Sequence, residues 1–536
     1  MTDLPRSSLF LGLDLSTQSL TALALDEGGE VVCHRSINFD QEFPSYGTQG
    51  GVIVDPADPT RVHGDPLLWV EALEEMMGLL GREGVLSRVR AVAVSAQQHG
   101  TVYLKSSFAE TLLSLAGNAP LKEKIAPTLA RRTAPVWMDS STPRECEEIS
   151  AALGGDAAVA ALTGSRATER FAAPQIRRFF LNYPRGYEET GHIALVSSFI
   201  TSLLAGRIAP VDGGDGFGTN LADLSRGRWS PAALEATAPE LLRRLPPLVT
   251  RDERVGTLAP FWTTRFGGSP ETLVVTGSGD NPCSLVGLGL LENERTGGIS
   301  LGTSDTFFAY RRKIPSGERT EGHLFGTADG GFMALLCFKN GSLTRQHVRD
   351  TIGLTWEGFS ELLLSTPPGN GGKGVIPWLW PEITPRVLRP EMRPFGGLTP
   401  DDGAGWVRGV AEAQACALRL HARRMGPLPE NLLVTAGGSE NAGLLQILAD
   451  VFGVPVQTIA VRDSAALGAA LRAAHLFLRD RGTPRSWKDL ASPLAEHFSS
   501  EVRPRPHASE LYTRPGGFLE LYEGEERQAL EALGEA

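Results

Sequence analysis

Cysteine is scarce in this chain and poorly placed for chemistry. The five cysteines, Cys33, Cys146, Cys283, Cys337 and Cys416, are far apart, odd in number and form no C-x-x-C pair. That argues against a disulfide framework or a cysteine-built zinc site and leaves small buried thiols in a reducing compartment. Positive charge is also short: 51 Lys and Arg face 62 Asp and Glu, a net charge of −11. Nucleic-acid binding leans on basic patches that neutralise phosphates, so no nucleic-acid partner is expected. Small phosphorylated ligands stay open, because local N–H groups and a metal can bind them whatever the global sign. No run of about 18 apolar residues is present, so no membrane span is expected. The opening segment, MTDLPRSSLFLGLDLSTQ, is read as lacking a signal peptide, since its apolar run is short and broken by Asp14. The expected location is the cytosol.

Two familiar phosphate signatures are missing as well. G-x-x-x-x-G-K-[ST] does not occur; Gly369 to Lys373 (GNGGK) has the wrong spacing and runs on into Gly374. Gly287 and Gly289 lack the third glycine of a dinucleotide fingerprint and read as helix packing.

What is present is a 536-residue chain, 41% hydrophobic and 21% charged, which is the balance of a globular protein too long for one core. Alternation and turn residues predict strands over 9–15, 21–25 and 30–39. Asp65 and Pro66 then open an apolar-periodic helix. A buried strand over 89–94 ends in SAQQHG. Residues 105–250 mix helical patterns with Gly/Pro-rich connections and read as insertions on a first domain. A short strand over 273–276 runs into GSGDNP. The segment GISLGTSDTFF then repeats the style of the opening: strand, hydroxyl-rich turn, strand. Near 432–438 another strand enters a glycine turn, followed by a helix, a short strand and a further helix from Ser464. Two βββαβα-like halves, opening about 290 residues apart, are therefore expected. The domain expectation is 1–289 and 290–536, with a Pro/Arg-rich, loop-like appendage from about 480 and a terminal helix.

Several residues have the chemistry of a phosphoryl-transfer site. A carboxylate directly after a buried strand is costly without a partner. Asp14 is such a group, and hydrated Mg²⁺ is a natural partner, although a turn carboxylate also satisfies turn amides. Thr17 and Gln18 could donate to phosphate oxygens. Gly302, Thr303 and Ser304 offer close backbone approach and hydroxyls in a matching turn, or simply an ST-turn. Gly437 and Gly438 form either a nucleotide platform or a tight strand-to-helix turn. Asp280 ends a buried strand beside Asn281 and suits a base that accepts an alcohol proton, with an Asx-turn as the alternative. His99, flanked by Gln97 and Gln98, and Arg170 have the donors and acceptors a polyol needs, or are ordinary structural groups.

Taken in order, LGLDLSTQSLTALALD, FPSYGTQGGV, AQQHGTVY, PVWMDSST, LTGSRATERF, LVSSFITSLL, TGSGDNPCSLVG, SLGTSDTFF, ALLCFKNGSL and LQILADVFGVPV resemble the FGGY carbohydrate kinases. The resemblance implies an α/β fold of the two-domain, actin-like (ribonuclease H-like) ATPase type with a deep inter-domain cleft. It implies ATP as co-substrate, Mg²⁺ as cofactor, and a small sugar as acceptor. That sugar is D-xylulose, with ribulose, gluconate or glycerol as alternatives, and a homodimer is one arrangement it allows. By position it makes Asp280 the catalytic base and His99, Arg170, Asp280 and Asn281 the sugar contacts. Asp14 becomes the metal-associated carboxylate and Thr17, Gly302 and Thr303 the phosphate hairpins. Trp356, Gly438, Ser439 and Asn441 fall to the nucleotide. The family usually has Gly-Gly-Ala-Ser-x-Asn at the last of these; here Gly437 to Asn441 (GGSEN) is one residue shorter. A sugar sensor without catalysis and an ATP-driven conformational machine are the rival classes.

Overall fold

Period-two alternation makes the opening segment a strand with two different faces. In Leu9–Leu15, the residues Leu9, Leu11, Leu13 and Leu15 enter a core shared with Leu68, Trp69 and Leu73 of the helix Pro66–Arg82. Phe10 and Gly12 face the other way, where Phe10 meets Phe477 with ring centroids 5.5 Å apart. A computed structural model describes residues 8–316 and 321–534. Residues 1–7, 317–320 and 535–536 lie outside it, and with them the start of the segment read as lacking a signal peptide.

The first sheet runs in the order Arg254–Thr257, Leu273–Val275, Val89–Ala96, Leu9–Leu15, Ser19–Leu25, Val31–Asn38, and Ser278–Gly279 also pairs with Val89–Ala96. Leu9–Leu15 is antiparallel to Ser19–Leu25 and parallel to Val89–Ala96. The second sheet runs His323–Gly326, Phe332–Phe338, Asp305–Arg311, Thr296–Leu301, Asn431–Thr435, Val456–Thr458. Its first strand is likewise antiparallel to the next in sequence and parallel to Asn431–Thr435. Leaving out the extra edge strand of each sheet, both share the order third, second, first, fourth, fifth. The two halves expected from the repeated strand–turn–strand segments are thus built alike. Strand limits differ from the expected ones by a residue or two, as hydrogen bonding at strand ends dictates.

The chain separates into two compact units. The first holds the residues up to Glu292 together with Leu324–Met333 and Arg462–Ala495; the second holds the rest. Residues 105–250 belong to the first unit. So does the helix Ser464–Asp480, which a single cut near residue 289 would assign to the second. Glycines let this helix approach backbone to backbone. A Cβ on Gly12 would stand 2.0 Å from the Ala466 carbonyl oxygen, and one on Gly468 would stand 1.8 Å from that of Cys283.

The loop expected past residue 480 does not hold throughout. Ser486 and Asp489 cap a short helix, Trp487–Ala491, with a reciprocal capping box. Pro506 opens Pro506–Thr513 from the first-turn position, where a missing N–H costs nothing. The expected terminal helix is Phe518–Leu533. Among the described residues, no helix is long and apolar enough to cross a membrane. All five cysteines are free thiols, and Cys33, Cys146, Cys283 and Cys416 are buried.

Candidate active site

Sheet register brings the first group of residues together. Parallel pairing sets Asp14 beside Ser95 and Leu15 beside Ala96, and Ser278 and Gly279 pair with the same two residues of Val89–Ala96. Asp14, Ser95 and Ser278 therefore stand level at the carboxyl ends of neighbouring strands, where ligands of open α/β sheets collect. Asp280 follows at once as the first residue of the helix Asp280–Gly287.

The two carboxyl groups are both raised. Burial, and then the charge of Asp14, push Asp280 from 3.8 to about 7, against backbone N–H groups including those of Asn281 and Gln98. Burial also lifts Asp14 to about 6; the Ser95 hydroxyl opposes this by donating to Oδ1 at 2.6 Å, and the charge of Asp463 adds to it. Groups so coupled titrate as a pair. Asp280 is thus a carboxyl poised near neutrality, as a general base requires.

A hydrogen-bonded chain holds this carboxyl. The Asn281 backbone N–H donates to Asp280 Oδ1 at 2.8 Å, and its side-chain Nδ2 to the same oxygen at 3.1 Å. Asn281 Nδ2 also donates to Gln98 Oε1 at 2.8 Å, and Gln98 Nε2 donates to the Gly214 carbonyl at 3.0 Å. Gly279 must be glycine for this to fit, since a Cβ there would stand 2.3 Å from Gln98 Cγ.

His99 sits in a left-handed conformation, φ 72°, that a β-branched residue would not tolerate. Its ring stacks on Phe171 with centroids 4.3 Å apart, and its Nδ1 lies 2.9 Å from the Gly218 carbonyl oxygen. Burial first, then the Arg170 charge, lower its pKa to about 3, so the ring is neutral. A carbonyl only accepts, so Nδ1 carries the proton and Nε2 is left as an acceptor for a hydroxyl. Arg170 immediately precedes Phe171 and is near enough for its charge to act on His99.

Several neighbours have little signature in the sequence. Trp137 Nε1 donates to Thr17 Oγ1 at 2.8 Å. Arg472, fully buried, donates to both oxygens of Asp252, to Asp212 Oδ2 at 3.3 Å, to the Thr276 carbonyl at 3.1 Å and to Cys283 Sγ at 3.4 Å. It ties the Ser464–Asp480 helix to the strand that leads to Asp280. Buried Asp215 accepts from Ser197, and burial plus the Asp212 charge hold its carboxyl far above the usual range. The only sequence signal for Arg472 is a single charge inside the small, apolar run SAALGAALRAA.

The second unit gathers the remaining candidates. Gly302 and Thr303 form the turn between Thr296–Leu301 and Asp305–Arg311. Ser342 N–H donates to the Gly302 carbonyl at 2.9 Å, and Gly341 packs so tightly that a Cβ would stand 2.7 Å from the Thr303 carbonyl oxygen. Below the turn, Arg345 holds buried Asp305 bidentately at 2.7 and 3.0 Å. Gly438 lies against the end of the same strand, where a Cβ would be 2.6 Å from Leu301 Cβ. Ser439 is half-buried and donates to the Ala436 carbonyl at 2.6 Å. Asn441 caps Ala442–Phe452 through Leu444 N–H at 3.1 Å and donates to Ser360 Oγ at 2.7 Å. Ser360 is one turn beyond Trp356, which opens the helix Trp356–Ser365, is 41% exposed and lies under Arg349 at 4.4 Å. In the shortened loop, both polar atoms of Asn441 are thus engaged within the protein, while the Trp356 ring presents a face.

Asp14 also passes a test for a cation. Burial and a like charge raise its pKa, so a positive ion beside it would relieve both. Among the described residues, no cluster of three or more His, Cys, Asp or Glu could cage a metal. That donor set suits Mg²⁺, which takes one or two carboxylates and keeps waters and substrate phosphates as its other ligands.

Residues 128–287 match the N-terminal domain of the FGGY family of carbohydrate kinases, and residues 297–477 match its C-terminal domain. The chain belongs to that family. It is 38% identical to the xylulose kinase of Mus musculus over 518 residues, 94% of this chain and 91% of that protein. It is also 38% identical to xylulose kinase 2 of Arabidopsis thaliana over 496 residues, 89% and 88% of the two chains. The crystal structure of xylulose kinase from Rhodospirillum rubrum shares the fold, with a TM-score of 0.81 at 18% identity over 98% of this chain and 100% of that one.

Proposed function

We propose that this enzyme transfers the γ-phosphoryl group of ATP to the terminal C5 hydroxyl of D-xylulose. The observation that carries the chemistry is Asp280, a carboxyl held near pKa 7 by burial and the Asp14 charge, next to Asn281 and neutral His99. The substrate rests on the two xylulose kinases to which nearly the whole chain is similar.

Asp280 accepts the hydroxyl proton as the C5 oxygen attacks phosphorus. The new O–P bond forms, the bond to the β-phosphate bridging oxygen breaks, and ADP leaves with that electron pair. His99 Nε2 accepts from a sugar hydroxyl, and Asn281 Oδ1 and Arg170 orient the rest of the chain of hydroxyls. Thr17, Gly302 and Thr303 bind phosphate oxygens through N–H and O–H groups. Gly438, Ser439 and Trp356 receive the nucleoside, with Asn441 shaping that loop. Mg²⁺, held at Asp14, would supply charge neutralisation on the phosphates. The free, mostly buried thiols suit a cytosolic enzyme.

ADP release from Mg-ATP tests this reading against D-xylulose, D-ribulose, L-ribulose, L-xylulose, gluconate, glycerol and a sugar-free blank. Preference for D-xylulose is expected. Preference for another polyol would refute the substrate, and turnover with none of them would refute the enzyme.

A further inference from the structure

Three arginines in the first unit converge on a cavity of about 340 Å³ that belongs to none of the groups above. Arg61, Arg131 and Arg178 line it together with Thr133, Ser141 and Gln175, and no acidic residue does. Its volume falls at the small end of the ~300–1,000 Å³ of typical ligand sites, which favours a small metabolite over a nucleotide.

Each guanidinium is anchored from behind by a different contact. Arg131 lies over the rings of Tyr103 and Phe179, at 5.2 and 5.0 Å, and donates to His63 Nε2 at 3.2 Å. Arg61 donates to Asp55 at 2.9 Å. Arg178 donates to the Ser141 carbonyl and stands 3.9 Å from Asp58. A guanidinium has five N–H groups, and these bonds use one or two of each. Planar forks fixed in this way match the oxygens of a phosphate dianion better than a single ammonium would. The Thr133 hydroxyl can serve a remaining oxygen, while the Ser141 hydroxyl and the Gln175 amide nitrogen already donate to Asp139 Oδ1 and leave their oxygens to accept from an attached polyol.

The cavity also adjoins the sugar side of the molecule. Gln175 lies one turn after Phe171 at the start of the helix Ala172–Asn182, and Phe171 is the ring on which His99 stacks. Gln175 Nε2 donates to Asp139 Oδ1 at 2.8 Å and to the Glu169 carbonyl at 3.1 Å, next to Arg170.

We propose that this cavity is a second anion site, which takes a small phosphate monoester or free phosphate and is separate from the residues assigned to sugar and ATP. The test is calorimetric titration of the full-length enzyme already saturated with D-xylulose and Mg-ADP. Inorganic phosphate, glycerol 3-phosphate and acetate serve as the probes. Saturable binding of either phosphate probe is expected, weakened roughly tenfold or more by Arg131→Gln or Arg178→Gln and unchanged by Asp280→Asn. If glycerol 3-phosphate binds more tightly, the ligand is the ester; equal binding assigns free phosphate. Because Arg131 packs on two rings, thermal unfolding checks its variant, and partly exposed Arg61→Gln repeats the test without disturbing the interior. Absence of saturable binding at millimolar phosphate, equal affinity in the arginine variants, or acetate binding as well as phosphate would overturn the proposal.

Discussion

Asp280 and Gln98 stand at different distances from the proposed reaction, and their variants separate accordingly. Asp280→Asn removes the proposed proton acceptor while keeping the shape. Sugar binding is expected to persist while turnover falls by roughly 10²–10⁴-fold; a near-normal rate would remove Asp280 from the base role. The active form is the carboxylate, and its pKa is raised, so activity must rise with pH through about 7 and be mostly lost below about 6, where Asp14 also protonates. A kcat/KM profile flat from pH 5 to 8 would contradict the pairing. Gln98 engages both polar atoms with protein partners, and we assign it a positioning role. In Gln98→Leu, Asn281 Nδ2 loses the acceptor that orients it, so its bond to Asp280 Oδ1, which favours the charged form, is less well held. The expected result is about a tenfold lower kcat with an apparent pKa moved up, and little change in sugar KM. A raised KM with unchanged kcat and pH profile would make Gln98 a sugar contact instead. Asp280 was legible in the sequence because a carboxylate after a buried strand needs a reason to be there. The anchoring role of Gln98 was not, because its partners lie at Gly214 and Asn281, far along the chain.

At the scale of elements, the two opening hairpins could be read locally, since strand alternation and turn residues are properties of ten-residue windows. The partner of the Ser464–Asp480 helix could not. Its run of Ala and Gly shows that something approaches closely, but only the folded chain shows that Gly468 meets the Asp280–Gly287 helix and Ala466 meets Gly12. The contact is reciprocal, for a Cβ on Gly287 would stand 1.9 Å from the Ser464 carbonyl oxygen. Gly468→Ala is therefore expected to cost about 1–3 kcal/mol in denaturant unfolding, as overpacking of a tight interface does. Combining it with Gly287→Ala should cost less than the sum, because the first methyl already parts the two helices. Strict additivity would mean that each helix yields independently. Since Asp280 opens one of these helices, kcat should fall in the same variants.

Across the molecule, stability carries its own pH signature, and one buried histidine contributes to it on the alkaline side. His421, in the helix Gly403–Ala422, lies between Glu526 at 3.2 Å and Glu321 at 2.5 Å. Burial opposes its charge, but Glu526 and Glu321 outweigh burial and raise its pKa from 6.5 to about 9; Arg424, 3.0 Å from Glu321, shares the cluster. A cation pKa raised on folding means that the native state binds the extra proton. The resulting stabilisation is fully present below pH 6.5 and is lost as pH rises through about 9. The raised carboxyls of Asp14 and Asp280 act in the same direction at lower pH, because the native state there also holds protons that the unfolded chain releases. The unfolding temperature should thus decline from pH 6.5 to 9 in the wild type. In His421→Gln it should start lower and stay nearly level across that interval, because the glutamine cannot titrate while Glu321 and Glu526 lose their cation. An equal decline in both proteins would show that the alkaline loss comes from other groups. Nothing in the sequence around His421 announces this, since its partners sit about a hundred residues away on either side, and the charge state follows from their meeting in one buried place.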